Sequence, residues 1–164
     1  MSEANRNSSN EKEYICITFD KFIFKVSKGC FYSEEGVWIR IENGAARLGI
    51  SDFVQKTIGD MTYISLPHIG NKVEQLQELA SVESIKTSIS IPSPIKGRII
   101  EVNLRIEEEP ELVNLDPYGS GWLVVAKLSN FKKDRKQLLE AEKYSEVIKK
   151  KLVEAEKESK KIVH

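Results

Sequence analysis

Leu79-Ala80-Ser81-Val82-Glu83-Ser84-Ile85-Lys86-Thr87-Ser88-Ile89-Ser90-Ile91-Pro92 decides how this chain is read. Apolar and β-branched residues lead in from Leu79 to Val82 and lead out from Ile89 to Val102. One lysine, Lys86, stands where the two runs meet, so it is expected near the tip of a hairpin. A lysine at such a bend carries its amine away from the body of the domain. Lysine is a flexible point charge that becomes an amide when acylated, and that placement suits covalent modification. The bland alternative is a solvated turn charge, the usual state of lysine.

Working outward, Gly36 to Glu42, then Asn43-Gly44, then Ala45 to Ile50 predict a second hairpin, because Asn-Gly readily takes the two positive φ angles of a type I′ turn. Ser51 or Asp52 can cap a short helix over Phe53–Ile58 that stops at Gly59. Met61 to Leu66 is read as a strand ended by Pro67, and Val73 to Val82 as strands broken near Gln75. Pro92 and Pro94 cannot donate to a central ladder, so Ser90 to Ile95 is an edge or a crossing between sheets. Leu104 to Pro110 is read as an acidic loop, and Gly121 to Leu128 as the last strand. Many short strands with one short helix predict a mainly β fold, a sandwich or flattened barrel.

The two ends differ from this middle. Residues 1–12 are small and polar and are expected to be disordered. From Tyr14 to Val26, Phe22, Phe24 and Val26 alternate with Ile23 and Lys25, which predicts an extra half-buried strand or loop laid on the core. From Phe131 on, Leu138, Leu139, Tyr144, Val147, Ile148 and Leu152 recur at helical spacing among Lys and Glu. Residues 131–164 are therefore read as a charged C-terminal helix, solvated beyond Leu152, and 13–130 as the β domain.

Composition excludes several functions. The 164 residues carry 25 basic and 25 acidic side chains, a formal net charge of zero, so no global field would draw nucleic acid or an anionic membrane. No apolar run approaches the ~20 residues of a membrane span, and the default compartment is the cytoplasm. Cys16 and Cys30 lack a C-x-x-C spacing and are read as reduced thiols, a disulfide being the minor alternative. His68 and His164 are too few for a metal site. No catalytic motif is present, so no catalytic and no metal-ligating residue is assigned.

Five segments at matching spacing resemble the H protein family of the glycine cleavage system. They are Ala46–Phe53, Ile58–Pro67, Val82–Lys86, Pro94–Asn103 and Pro110–Leu123, within a similarity running from about Gly36 to Tyr144. The resemblance implies a barrel-sandwich hybrid of two antiparallel sheets, of the lipoyl/biotinyl-carrier type, with a short internal helix and a C-terminal helix. It implies that Lys86, matching the lysine of the family's E-S-V-K, is an N6-lipoyllysine with lipoate held covalently. Glu83 would help a lipoate ligase recognise the hairpin. Gly97, Asn103, Asn114, Pro117, Tyr118, Gly121 and Trp122 match family positions read as turn and packing residues. The implied role is that of a non-catalytic, monomeric carrier. It would shuttle an aminomethyl intermediate between a pyridoxal-phosphate glycine decarboxylase, an aminomethyltransferase and dihydrolipoyl dehydrogenase.

The chain departs from the family at four places. Ser90 stands four residues after the lysine, where the family commonly has Asp. Gly36-Val37-Trp38 replaces H-E-W, Leu76 occupies a usual turn glycine, and an insertion precedes residue 33. An acid at 90 could hold the ammonium of an aminomethyl adduct, which serine does more weakly. Two alternatives therefore stay open: an H-like lipoate-binding protein of another pathway, such as sulfur oxidation, and an unmodified β-sandwich interaction module.

Overall fold

β4 (Val37–Glu42) and β5 (Ala45–Ile50) form the expected hairpin, and Asn43 and Gly44 sit at φ 51° and 76°, as a type I′ turn requires. The structure, a computed structural model, describes residues 13–163; the expectation of disorder at 1–12 lies outside them. This hairpin lies within a six-stranded antiparallel sheet ordered β3-β4-β5-β11-β10-β7, with β3 Phe31–Tyr32, β7 Lys72–Val73, β10 Gly97–Val102 and β11 Val124–Leu128. A three-stranded antiparallel sheet, β6-β8-β9 (Met61–Ser65, Glu78–Ser84, Ser88–Pro92), makes the second layer. The two layers form a sandwich and do not close into a barrel.

The main core is aliphatic. Val37, Ile39, Leu48 and Ile50 of the larger sheet meet Ile64, Val82 and Ile91 of the smaller one, with Ile95 and Ile99 beside them. Burying each such side chain stabilises by roughly 1.5–3 kcal/mol. Pro92 ends β9, which is an edge strand, so its missing N–H breaks no inner ladder.

A second core lies on the other side of β4. Residues 14–27, expected as a strand or loop, form a complete hairpin of β1 (Tyr14–Phe19) and β2 (Phe22–Ser27). Ile17, Phe24 and Val26 point inward, whereas Phe22, expected on the same face, is 55% exposed at the tip. The hairpin, Tyr32, Trp38 and Tyr118 pack with Ala141, Tyr144 and Ile148 of the last helix. Each buried ring polar group is satisfied. Tyr32 donates to Ser27 O (2.7 Å), Tyr118 to Lys25 O (2.7 Å) and Trp38 Nε1 to Pro117 O (2.9 Å), while Tyr144 shares a 2.7 Å bond with Ser51. Burial pushes the pKa of all three tyrosines well up.

Helices occupy the connections. Ser51 caps α1 (Asp52–Ile58), its Oγ accepting from Val54 N–H at 3.3 Å. The acidic stretch expected as loop contains a single helical turn, α2 (Arg105–Glu108), followed by another, α3 (Leu112–Leu115); the second residue of each, Ile106 and Val113, is buried in the core. The last strand begins at Val124, not Gly121, since Gly121 and Trp122 bond back to Asp116 O and Gly119 O in a turn. The C-terminal segment is not one helix from Phe131. A turn, α4 (Phe131–Asp134), and a 3-10 turn (Arg135–Gln137) come first, and α5 runs Ala141–Val163. Between them Leu139 exchanges backbone bonds with Tyr32 (2.7 and 2.8 Å), an extended pairing that no helical residue could make. α5 is docked as far as half-buried Leu152, and residues 153–161 are exposed.

Candidate functional site

Lys86 sits where the sequence places it. β8 and β9 pair in antiparallel register, Val82 opposite Ile89 and Glu83 opposite Ser88, which leaves Ile85, Lys86 and Thr87 to turn the corner. Leu79, Ala80 and Val82 are buried and anchor the stem. Ser84 builds the tip. Its N–H donates to Thr87 O at 2.8 Å, and its hydroxyl oxygen accepts from Lys86 N–H (3.3 Å) and Thr87 N–H (3.2 Å). This is the local side-chain-to-backbone bonding for which serine is suited. A serine between two strand runs is itself a turn signal, the one in the sequence that points to Ser84.

Lys86 is exposed, and among the described residues its Nζ has no hydrogen-bond or ion-pair partner. Its neighbours on the outer surface are Ile85, 81% exposed, and Glu83, whose carboxylate is likewise unpartnered among the described residues. Tyr63 of β6 lies opposite Glu83 on its other side and is also exposed.

Gly59, at the end of α1, lies against the lysine stem. A Cβ there would stand 3.2 Å from Lys86 Cε and 3.8 Å from its Nζ, and the three nearest atoms all belong to Lys86. Gly59 adopts φ 90°, a conformation glycine takes without strain. Asn114 pins the turn beyond it: its Nδ2 donates to Gly59 O (2.9 Å) and its Oδ1 accepts from Met61 N–H (2.9 Å).

The other expected residues are dispersed. Ser90 is exposed on β9 opposite Ser81, and Val37 is buried in the main core. Asn103 donates to Ser120 O and Trp122 O, which makes it a loop clamp. Cys16 is exposed and Cys30 buried, both free; burial pushes the Cys30 thiol up despite the charge of Arg40 nearby. That thiol is poorly suited to exchange with any bound dithiol. No group of His, Cys, Asp and Glu among the described residues could hold a metal ion, and no described helix is long and apolar enough to cross a membrane.

A two-layer β-sandwich whose tight hairpin presents a lysine without a partner among the described residues has the geometry of a carrier domain. The comparisons give the family. The model of the glycine cleavage H-protein family matches residues 30–151. A probable glycine cleavage system H protein of Pyrococcus abyssi is 39% identical over 127 residues, covering 77% of this chain and 94% of the relative. The glycine cleavage system H protein of Thermus thermophilus is 42% identical over 123 residues, 75% and 95% of the two chains. A crystal structure of a glycine cleavage system H protein from Mycobacterium marinum superposes with a TM-score of 0.66 at 29% identity, covering 73% of this chain and 96% of that one. This chain belongs to the glycine cleavage H-protein family. The hairpin of residues 14–27 lies outside the matched segment.

Proposed function

We propose that the chain is the lipoyl carrier of a glycine cleavage system, with lipoate joined to Lys86 Nζ as an amide and Glu83 read by the lipoate ligase. The observation that carries this reading is the unpartnered amine of Lys86 at the Ser84-capped tip. The site fits the group: the amine is reachable, the stem rests on a glycine with no side chain in the way, and exposed Ile85 offers apolar surface next to it, with exposed Tyr63 across from Glu83. A bound lipoyl group would supply the disulfide chemistry that accepts an aminomethyl group from glycine.

The chain's own residues do the positioning. Leu79, Ala80 and Val82 root the hairpin, Ser84 fixes its bend, and Gly59 leaves room for the stem. The protein is a non-catalytic component. Its partners on this reading are the pyridoxal-phosphate glycine decarboxylase, the aminomethyltransferase, dihydrolipoyl dehydrogenase and a lipoate ligase; it works as a monomer in the cytoplasm.

Intact mass of protein from its native host is expected to show a lipoyl increment on the wild type and none on Lys86→Arg. An unmodified wild-type mass would leave the interaction-module reading in its place. Loaded protein should then support glycine-dependent CO2 exchange by the decarboxylase. Ser90 gives the alternative its one observation, since the position where the family commonly has an acid is an exposed hydroxyl here. Loaded protein that supports no exchange would remove the glycine reading and leave a lipoyl carrier of another pathway, such as sulfur oxidation.

A further inference from the structure

Asn114 is one link in a chain of side-chain bonds whose polarity is forced at every step. Met61 N–H can only donate, so the atom of Asn114 facing it is Oδ1. That turns Nδ2 toward two acceptors, Gly59 O at 2.9 Å and Gln55 Oε1 at 3.0 Å. Gln55 must then present Nε2 to the acceptor-only carboxylate of Asp52, at 2.8 Å. The second oxygen of Asp52 accepts from Lys25 N–H of the β1–β2 hairpin (2.9 Å) and from Lys56 (3.1 Å). A network of fixed polarity, its donors converging on the Asp52 carboxylate, thus links the hairpin outside the family match, through α1, to the turn beneath Lys86.

The end of that network is the functional part. Asn114 bonds the residues on both sides of Asp60, so it sets the turn that ends α1. The three atoms nearest the open side of Gly59 all belong to Lys86, and any displacement of that turn moves the surface on which the lysine stem lies.

We propose that Asn114 is a positioning residue for Lys86: by locking the Gly59–Met61 turn it holds a side-chain-free floor beneath the lysine and presents the amine to the ligase in one pose. This rests on the reading of Lys86 as the lipoylated residue.

Two variants test it from opposite ends. Asn114→Asp keeps the shape and the bond from Met61 N–H, but sets a carboxylate against two acceptors. Gly59→Ala removes none of the three partners of Asn114; it crowds the stem directly and also strains the turn, whose φ of 90° favours glycine. Each is measured two ways: the rate of loading by purified lipoate ligase, read as intact mass, and NMR relaxation of 13Cε-labelled lysines. Wild-type Lys86 is expected to be more ordered than exposed Lys72. Both variants should lower the order of Lys86 without changing Lys72, and should slow loading about tenfold, a factor equivalent to one 1.4 kcal/mol step. A loss of global stability alone would not move Lys86 while sparing Lys72. Should Asn114→Asp fail to fold, Asn114→Ser, too short to span the three partners, takes its place. Folded variants with wild-type order and wild-type loading overturn the proposal. A wild type that no ligase loads would instead sink the lipoyl reading, and the relaxation data would still decide whether Asn114 holds the floor.

Discussion

The two cores of this molecule are built from opposite materials on the two faces of one strand. In β4, Val37 and Ile39 face the sandwich, while Trp38 between them faces the tyrosine cluster, and all three are buried. The sandwich core is aliphatic, needs no polar partners, and roots the Lys86 hairpin. The second core is aromatic, and its stability depends on hydroxyls finding partners. Tyr32 stacks on Tyr144 at 4.4 Å and 8°, and Tyr118 reaches from a loop to the β1–β2 hairpin. Aliphatic packing tolerates any pH, whereas a core of buried phenols is only as stable as their protonation. One strand shared by both faces should make the two cores unfold together.

The most damaging test strikes the sandwich. Leu48→Ala removes a fully buried side chain between the sheets and is expected to cost about 2–5 kcal/mol, as large-to-small core changes do. At ~2–4 °C per kcal/mol for a chain of this size, thermal unfolding should move down by roughly 5–20 °C. A single transition monitored by both aromatic fluorescence and far-UV dichroism is expected; two separated transitions would break the idea of a shared wall.

Raising the pH singles out the second core. Tyr32, Tyr118 and Tyr144 have folded pKa values raised by burial, so the unfolded chain loses its phenolic protons first. Their contribution is complete below the unfolded value near 10 and is lost as pH rises through the folded values. At one pH unit above 10 each tyrosine costs ~1.4 kcal/mol, about 4 kcal/mol together. Tyr144→Phe should flatten that alkaline loss by about a third. At neutral pH the same change breaks the bond to Ser51, the cap of α1, and is expected to cost about 1–2 kcal/mol. Denaturant titrations of both proteins at pH 7 and 11 give both numbers, and parallel pH dependences would show that Tyr144 is not the titrating group.

The sandwich was the more legible of the two regions. Its hairpins announce themselves through Asn43-Gly44 and through alternation around Lys86, and its internal helix through Ser51 and Gly59. These are local signals, each contained within a few residues. The second core is assembled from positions 14–27, 32, 38, 118 and 141–152, which no short-range pattern links. For the same reason helical spacing from Phe131 predicts a helix that starts ten residues too early: Leu138 and Leu139 fit that spacing, yet Leu139 is claimed by Tyr32. The place of Lys86 at the hairpin tip, with Glu83 on the strand leading to it, is readable from motif and turn position. Asn114 could be matched to the family but its bonds to Gly59 and Met61 span more than fifty residues, and spacing carries no trace of them.

The smallest effect expected is a gain, and it falls in the sandwich. Leu76 stands where the family usually has a turn glycine, and the backbone has kept the glycine conformation: φ is 72°. The turn is held around it by Gln77 N–H to Glu74 O (3.1 Å), Glu74 N–H to Gln77 Oε1 (2.9 Å) and Leu76 N–H to Ser93 O (2.7 Å). The side chain, 66% exposed, recovers little burial in return. A non-glycine residue in the left-handed region costs about 1–2 kcal/mol, while glycine adds back roughly 0.5–1 kcal/mol of unfolded-chain entropy. Leu76→Gly should therefore stabilise the fold by up to about 1 kcal/mol, the strain being the larger of these two opposing costs. Urea midpoints of the two proteins decide it: a drop on substitution would mean that exposed Leu76 packs usefully and that the turn accepts it without strain.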